Sequence, residues 1–448
     1  MKVKTISRSA ASTQRETSGD VRIHHRNLNP AQHPMQRARE YTRAVTAAKI
    51  DRMFAKPFIG SLGNGHRDGI TATAVSRVSL APYVSGSADG EVCIWDLASR
   101  SEVGRIPGAH SRMVTGLAMD LEGRKFFSCS DDGHVKLWNL GANNTEAEAD
   151  YRINGTFKSI DHHWSKSQFA TASDSAVDIW DPTRTNSPLQ SYNDLWGSDD
   201  TVTVIRYNPA ESYLAATASA DRGIGLFDTR SSTPLKKTML SMRSNCLRWN
   251  PMEPNVFVVG NEDYNAYSFD MRRLDQPAMI HKGHVGAIMD VAWSPTGREF
   301  VTASYDKTIR IFGQRSGTAR DVYHLKRMQR IWCVNYTQDN DYILSGSDDS
   351  NIRIWKAQAS KSIGQSTTRE ETAVRYRQTL IKKYSNMPEI QRIHKSRKVP
   401  KLIKKQTALA QIQKEKVKRK ESNVVKHSKP GSVQFKSERK SVVVKQVD

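Results

Sequence analysis

An aspartate followed six residues later by an aromatic side chain occurs seven times along the chain at an almost fixed period. The pairs are Asp89/Trp95, Asp132/Trp138, Asp174/Trp180, Asp221/Phe227, Asp263/Phe269, Asp306/Phe312 and Asp349/Trp355, and successive aromatics lie 43, 42, 47, 42, 43 and 43 residues apart. A period in the low forties is that of a β-propeller blade, one small four-stranded sheet stacked on its neighbours. Chance does not hold one offset through seven repeats. The expected fold is all-β: a seven-bladed propeller over residues 54–357, a basic N-terminal arm with a short helix over 1–53, and a basic helical C-terminal domain and tail over 358–448. Function is then sought in binding surfaces rather than in reaction chemistry.

The formal charge of +22 resides in the flanks. Residues 1–60 carry 12 Lys/Arg against 4 Asp/Glu, and residues 358–448 carry 24 against 7. The repeats between them hold 32 against 35. Two cationic arms on a nearly neutral ring point to phosphate backbones or acidic protein surfaces as partners. Cys93, Cys129, Cys246 and Cys333 lie in expected strands without a C-x-x-C pair or a Cys/His cluster, as buried reduced thiols of an intracellular protein do. Met1-Lys-Val-Lys is followed by polar residues, which predicts no secretory leader, and no apolar stretch is long enough to span a bilayer.

Within the repeats, 87–96 (Ser-Ala-Asp-Gly-Glu-Val-Cys-Ile-Trp-Asp), 130–139, 304–312 and 347–355 match the WD repeat strongly. A Gly-His element precedes two blades, at Gly65-His66 and Gly283-His284, with Ala109-His110 as a variant and His163 as a further candidate. In such a blade the His, the Ser two before the Asp, the Asp and the aromatic are expected to form one hydrogen-bond chain. A strand at about 55–62 is expected to complete the last blade and close the ring, so deleting 50–62 should harm the whole fold. Residues 1–34 read as extended, and 35–53 as a basic helix with Ala38, Tyr41, Val45, Ala48 and Ile50 on one face. After Lys356, Thr368-Arg-Glu-Glu371 reads as a capping box opening a helix that Pro388 ends, and 401–420 as a second helix. Residues 427–448 read as an extended tail. These flanking segments bury too little apolar surface to be ordered without a partner.

Regular placement makes the seven aspartates turn residues rather than catalytic carboxylates, and His66, His110 and His284 blade histidines rather than metal ligands. Asp161-His162-His163-Trp164 lacks a second cluster to complete a metal site. No phosphate-cradling loop, nucleophile elbow or H-E-x-x-H is present, so no catalytic residue, cofactor or metal is expected. The basic runs are the stronger candidates: Arg392, Lys395, Arg397, Lys398, Lys401, Lys404 and Lys405, then Lys414, Lys416, Lys418, Arg419 and Lys420. They fit a nuclear-import signal too. The density of charge and its punctuation by Ile393, Leu402 and Ile403 favour a helix docked on a nucleic-acid-rich assembly. With few aromatics among the cations, backbone contact is expected rather than base stacking.

Particular stretches carry a likeness across nearly the whole chain. They include Met1-Lys-Val-Lys4, Arg39-Glu-Tyr-Thr-Arg43, Phe54-Ala-Lys-Pro-Phe58, Ile160-Asp-His-His-Trp164, Asn261-Glu-Asp-Tyr-Asn265, Lys326-Arg-Met-Gln329 and Lys426-His-Ser-Lys-Pro-Gly-Ser432. On these the chain resembles WD-repeat proteins with a Sof-type C-terminal domain, although Arg392 to Lys401 departs from the histidine-rich wording usual around the proline. The resemblance implies a structural component of the nucleolar small-subunit processome. That particle is built around the U-three small nucleolar RNA and matures small-subunit ribosomal RNA; processome proteins and pre-ribosomal RNA would be the partners, and no membrane. The family also resembles substrate receptors of cullin-four ubiquitin ligases, which use an aromatic-Asp-x-Arg ending on consecutive blades. Phe227-Asp-Thr-Arg230 and Phe269-Asp-Met-Arg272 fit that pattern, making Asp228, Arg230, Asp270 and Arg272 candidates for an adaptor contact.

Overall fold

Among the described residues, six repeat aspartates stand just before a residue held in the left-handed region: Gly90, Gly133, Arg222, Tyr264, Lys307 and Ser350. Four of these are neither glycine nor asparagine, so the conformation needs support. In five blades the aspartate supplies it by accepting the N–H two residues on, at 2.8–3.1 Å (Asp89, Asp132, Asp221, Asp263 and Asp306). At Gly90 a Cβ would fall 2.2 Å from the His110 carbonyl oxygen, so only glycine fits there. These tight turns fold the β-rich runs into sheets.

The structure, a computed structural model, describes residues 29–141, 146–153, 155–174, 176–193, 201–231, 234–364, 366–429, 432–433 and 437–447. Met1-Lys-Val-Lys4 and most of the segment read as extended lie outside them; Pro30–Gln32, within that segment, is a turn of 3-10 helix. Seven antiparallel sheets form the ring. Blades one to six span 70–106, 114–152, 157–193, 202–240, 244–281 and 288–323. Blade seven combines 331–356 with the strand Phe58–Ser61, which pairs with Ile352–Lys356 through Phe58 opposite Trp355. The ring is thus closed by chain from its N-terminal side.

Every blade breaks register at the same place, after the first residue of its innermost strand (Ile70, Val114, Phe157, Val202, Ser244, Ile288 and Ile331). A bulge repeated there adds the same local twist to each sheet. Cys246 and Cys333 pack at this step, where a Cβ on Gly260 or Gly346 would meet their Sγ at 2.5 Å. All four cysteines are buried and free, and burial pushes the Cys93, Cys129 and Cys333 thiols up to about 12. Among the described residues no helix is long and apolar enough to cross a membrane.

A second compact unit joins the described part of Met1–Pro57 to Gln358–Arg397; the ring and Lys398–Asp448 make up the other. Helices α1 (Gln36–Met53), α2 (Thr368–Lys383) and α3 (Pro388–Lys395) pack around Ala44, Val45, Leu380 and Ile390. The face of α1 that packs is Tyr41, Ala44, Val45 and Ala48, while Ala38, expected on it, is exposed. The partner these helices need is therefore in the same chain. Of Arg39–Arg43, Glu40 accepts from Lys383 Nζ at 2.7 Å, Tyr41 bonds Glu389 at 3.1 Å, and Arg43 reaches Tyr376 at 3.4 Å. The capping box is one residue earlier than expected: Thr367, with extended backbone, exchanges bonds with Glu370. Pro388 opens α3 rather than ending α2, because a proline at the first helical position forfeits no bond. Helix α4 (Lys401–His427) outruns the expected 401–420.

The tail expected to be extended instead forms α5 (Glu438–Val442) and a strand, Val443–Val447, added as a fifth member of blade four.

The Glu40 carboxyl is pulled down to about 2, first by the hydrogen bond from Lys383 and then by those from Gln36 and Tyr384. A lowered carboxylate stabilises fully above its ordinary value and loses its contribution as pH falls through the folded one. Docking of α1 should therefore be intact at neutral pH and weaken as the pH falls from about 4.5 towards about 2, near the folded value. Hydrogen exchange of α1 amides across that range reads it, and Glu40→Gln should remove this pH dependence.

Candidate interaction surfaces

The blade residues form their chain, but through a different hydroxyl from the one expected. In blade two the Trp138 indole N–H donates to Ser128 Oγ at 2.8 Å, Ser128 meets His110 Nε2 at 2.7 Å, and His110 Nδ1 meets Asp132 at 3.2 Å. An indole only donates, so the hydroxyl donates onward to Nε2, leaving Nδ1–H for the carboxylate. Burial pushes the His110 and His284 imidazoles below their usual range, which keeps them neutral and suits this tautomer. The serine is four before the aspartate. Its neighbour two before, Ser130, accepts the Asp132 N–H at 3.3 Å. Both project from one face of the strand, and only the one deeper in the sheet reaches the indole.

Each other blade alters the chain. In blade one Trp95 and His66 meet on Ser85 at 2.7 and 2.6 Å, but Glu91 rather than Asp89 approaches His66 Nδ1, at 3.4 Å. Blade six keeps His284, Thr302 and Asp306, with Phe312 ending the chain. In blade three Trp180 bonds Thr171 at 3.0 Å while Asp174 takes the Thr156 hydroxyl at 2.7 Å; His163 is not part of it. Blades four, five and seven replace the histidine: Lys237 pairs with Asp221, the Tyr267 hydroxyl with Asp263, and Arg353 with Asp349. Trp355 keeps its bond to Ser345 at 2.8 Å, while Phe227 and Phe269 are buried in the core.

Asp161 to Trp164 staple blades together. Asp161 accepts the Tyr207 N–H at 2.9 Å and faces Arg77 at 3.5 Å; His162 meets Asp120 at 3.3 Å; His163 meets the Ser212 carbonyl at 2.7 Å. The Arg77 guanidinium lies 4.0 Å over the Trp164 ring. His66, Glu91 and Cys93 form the one metal-type donor group among the described residues. Ser85 meets His66 Nε2, and Arg105 donates to Glu91 Oε1 at 3.1 Å, while Glu91 Oε2 faces His66 Nδ1.

The two Asp-x-Arg endings share one geometry. Asp228 and Asp270 end the third strands of blades four and five. Arg230 Nη2 lies 2.6 Å from Asp228, and Arg272 Nη2 lies 2.8 Å from Asp270, each with a second bond through Nε. The backbone N–H of each arginine also caps its aspartate, at 2.9 and 3.1 Å. Those guanidinium bonds, before any other cause, hold both carboxyls below the usual carboxylate range. Both arginine side chains remain about two-thirds exposed, at 65% and 67%. Arg230 also stacks 4.4 Å over Tyr213, which Lys166 approaches at 4.1 Å. The pairs present two fixed guanidinium groups on neighbouring blades.

The basic candidates divide between the two units. Arg392 and Lys395 are exposed on α3. Arg397 is half-buried and donates to the carbonyls of His394 and Ser396, so it closes the end of α3 instead of facing outward. Lys398 precedes α4, and Lys401, Lys404, Lys405, Lys414, Lys416, Lys418, Arg419 and Lys420 are all exposed along it. At 100° per residue the cations surround most of the helix. One stripe is apolar: Leu402, Leu409, Val417 and Val424 recur every seven or eight residues and stay more than half exposed.

Family profiles match both parts of the chain. A Sof1-like domain matches 357–443, and the WD domain, G-beta repeat, matches 58–96, 101–139, 275–313 and 322–356. The stretch between the second and third of these repeat matches contains blades three and four and the three inner strands of blade five, where histidine is replaced or displaced. The chain is 46% identical over 452 residues to DDB1- and CUL4-associated factor 13 of Danio rerio, covering 100% of both chains. It is 47% identical over 448 residues to the Homo sapiens protein of that name, covering 99% of each. To Protein SOF1 of Saccharomyces cerevisiae it is 41% identical over 471 residues, covering 99% of this chain and 94% of the relative.

Ser128→Ala should destabilise the ring by roughly 1–3 kcal/mol, because it leaves a buried indole N–H and an imidazole nitrogen without partners. Ser130→Ala should cost less. Denaturant unfolding of the two variants compares them directly.

Proposed function

The chain belongs to the family of WD-repeat proteins that carry a Sof1-like domain, and we propose that it is a non-catalytic scaffold of the nucleolar small-subunit processome. In this reading the ring binds proteins, and the cationic helices bind pre-ribosomal RNA beside the U-three small nucleolar ribonucleoprotein, in maturation of small-subunit ribosomal RNA. The observation that carries it is α4: a 27-residue helix whose lysines and arginine are exposed, on a chain whose ring is nearly neutral. Such a surface neutralises phosphates without reading bases. The likeness to the yeast relative over almost the whole chain supports it.

A second activity is favoured by a separate observation, the paired Asp228/Arg230 and Asp270/Arg272. The vertebrate relatives are named for association with DDB1 and CUL4, and we propose that these two guanidinium groups would meet such an adaptor.

Reversing Lys404, Lys405, Lys418 and Lys420 to Glu should release the protein from pre-ribosomal particles on a sucrose gradient while the ring still folds. RNA affinity of the full chain should fall by about 1,000-fold or more between 50 and 200 mM salt if six or more phosphates are contacted. An affinity indifferent to salt would refute the RNA role. Changing Arg230 and Arg272 to Ala should abolish adaptor capture and leave ribosomal RNA maturation intact.

A further inference from the structure

The outer strand of blade four, Pro234–Leu240, is seven residues long, against three to six in the other blades. A long unpaired edge invites another strand. Here the edge is filled: Val443–Val447 pairs with it antiparallel, with Lys237 opposite Val447, Thr238 opposite Gln446, Met239 opposite Lys445 and Leu240 opposite Val443. Thr238 and Leu240 are accordingly buried, as is the Lys237 partner of the signature Asp221. Val442 inserts where blades four and five meet, among Leu240, Tyr267, Phe269 and Leu274, and is 7% exposed. The Ser241 N–H donates to the Val442 carbonyl at 3.2 Å, and Lys282, just beyond blade five, pairs with Glu438.

The start of α4 is held as well. His324, just beyond the outer strand of blade six, meets the Lys398 carbonyl at 3.2 Å, and Ile403 is buried. Between these ties run 27 helical residues, or about 40 Å at 1.5 Å each. We propose that the outer edge of blade four is a strand-docking site whose resident ligand is the chain's own segment 442–447. Its occupation turns the cationic helix into a strap fixed to the ring at both ends. One buried valine and a five-residue strand make a weak ligand in trans, but tethering raises its effective concentration to the millimolar range. The clasp is therefore closed at rest and able to open without unfolding the ring.

Val442→Asp puts a charge into the inter-blade cleft, and Val443→Pro removes an N–H from the tail strand. Hydrogen exchange of the full-length chain should show amides of 234–240 exchanging at least about tenfold faster in both variants, with 83–96 of blade one unchanged. A synthetic peptide of residues 437–448, at millimolar concentration, should restore protection to a chain ending at residue 436. Spin labels on K420C and R222C, the native cysteines being buried, should give one narrow distance in the parent and a broad distribution in V442D. Equal exchange at 234–240 in parent and variants overturns the docking, and broad distances in both overturn the strap. Unfolding of the ring by both variants overturns the removable clasp. Protection that disappears on dilution of a dimer, followed by light scattering, overturns docking within one chain.

Discussion

The ring depends on one pairing between strands far apart in sequence, Phe58–Ser61 against Ile352–Lys356. Without it, blade seven would present an open edge on the strand that carries Trp355, which Phe58 covers edge-on at 5.4 Å. The same pairing decides where the flanks go. It brings the chain before Phe58 beside the chain after Ala357, where the Lys56 N–H donates to the Ala359 carbonyl at 3.2 Å. Helices α1 and α2 are thereby neighbours before any of their side chains meet. A basic N-terminal arm and a C-terminal helix, each too poor in apolar surface to be ordered alone, then share a small core around Ala44, Val45, Leu380 and Ile390. Closing the propeller and assembling the helical unit are one topological event.

What could be read from the sequence was whatever repeats locally. The aspartate and aromatic of each blade are separated by one strand and a turn, so their offset is preserved even where other features are lost. The closing strand was legible because seven such endings leave one sheet a strand short. The hydroxyl of the hydrogen-bond chain was misplaced by two residues because Ser128 and Ser130 share a face, and spacing alone cannot say which lies deeper. Lys237, Tyr267 and Arg353 were invisible as stand-ins for histidine, since Lys237 reaches its aspartate from the outer strand and Tyr267 and Arg353 from four residues beyond theirs, none from the position the histidine takes. The C-terminal strand was missed for another reason: 443–447 is β-prone, but its partner lies about two hundred residues away and nothing local names it. The Asp-x-Arg endings came through resemblance, and their bidentate geometry could not be read from four residues.

Charge serves different ends in the two parts. In the ring, several cations are matched to single carboxylates: Lys237 and Arg353 to the signature Asp221 and Asp349, Arg230 and Arg272 to the blade-exit Asp228 and Asp270. Most of that charge holds turns and blade exits. It sums to nearly nothing, which keeps the long-range field of the ring weak. The surplus sits in the flanks, where Glu40 ties down Lys383 but α4 has only Glu415 and Glu421 among its many cations. The field that steers a polyanion therefore originates almost wholly in the tails.

That surplus has a cost within α4 itself. Lys401 and Lys405, Lys414 and Lys418, and Lys416 and Lys420 stand four apart on the helix, where like charges repel by a few tenths of a kcal/mol per pair. The first turn holds no acid to oppose the helix dipole, and the N-cap makes no side-chain bond. Propensity alone does not offset these terms in a helix with only Ile403 buried. Attachment before its start, through Lys398, and beyond its end, through Val442, offsets part of them, and a partner that neutralises the lysines would offset more. Phosphate at this surface would relieve the repulsion that loosens the helix, so binding and helical order reinforce each other. The same lysines that weaken the free helix make it tightest against a polyanion.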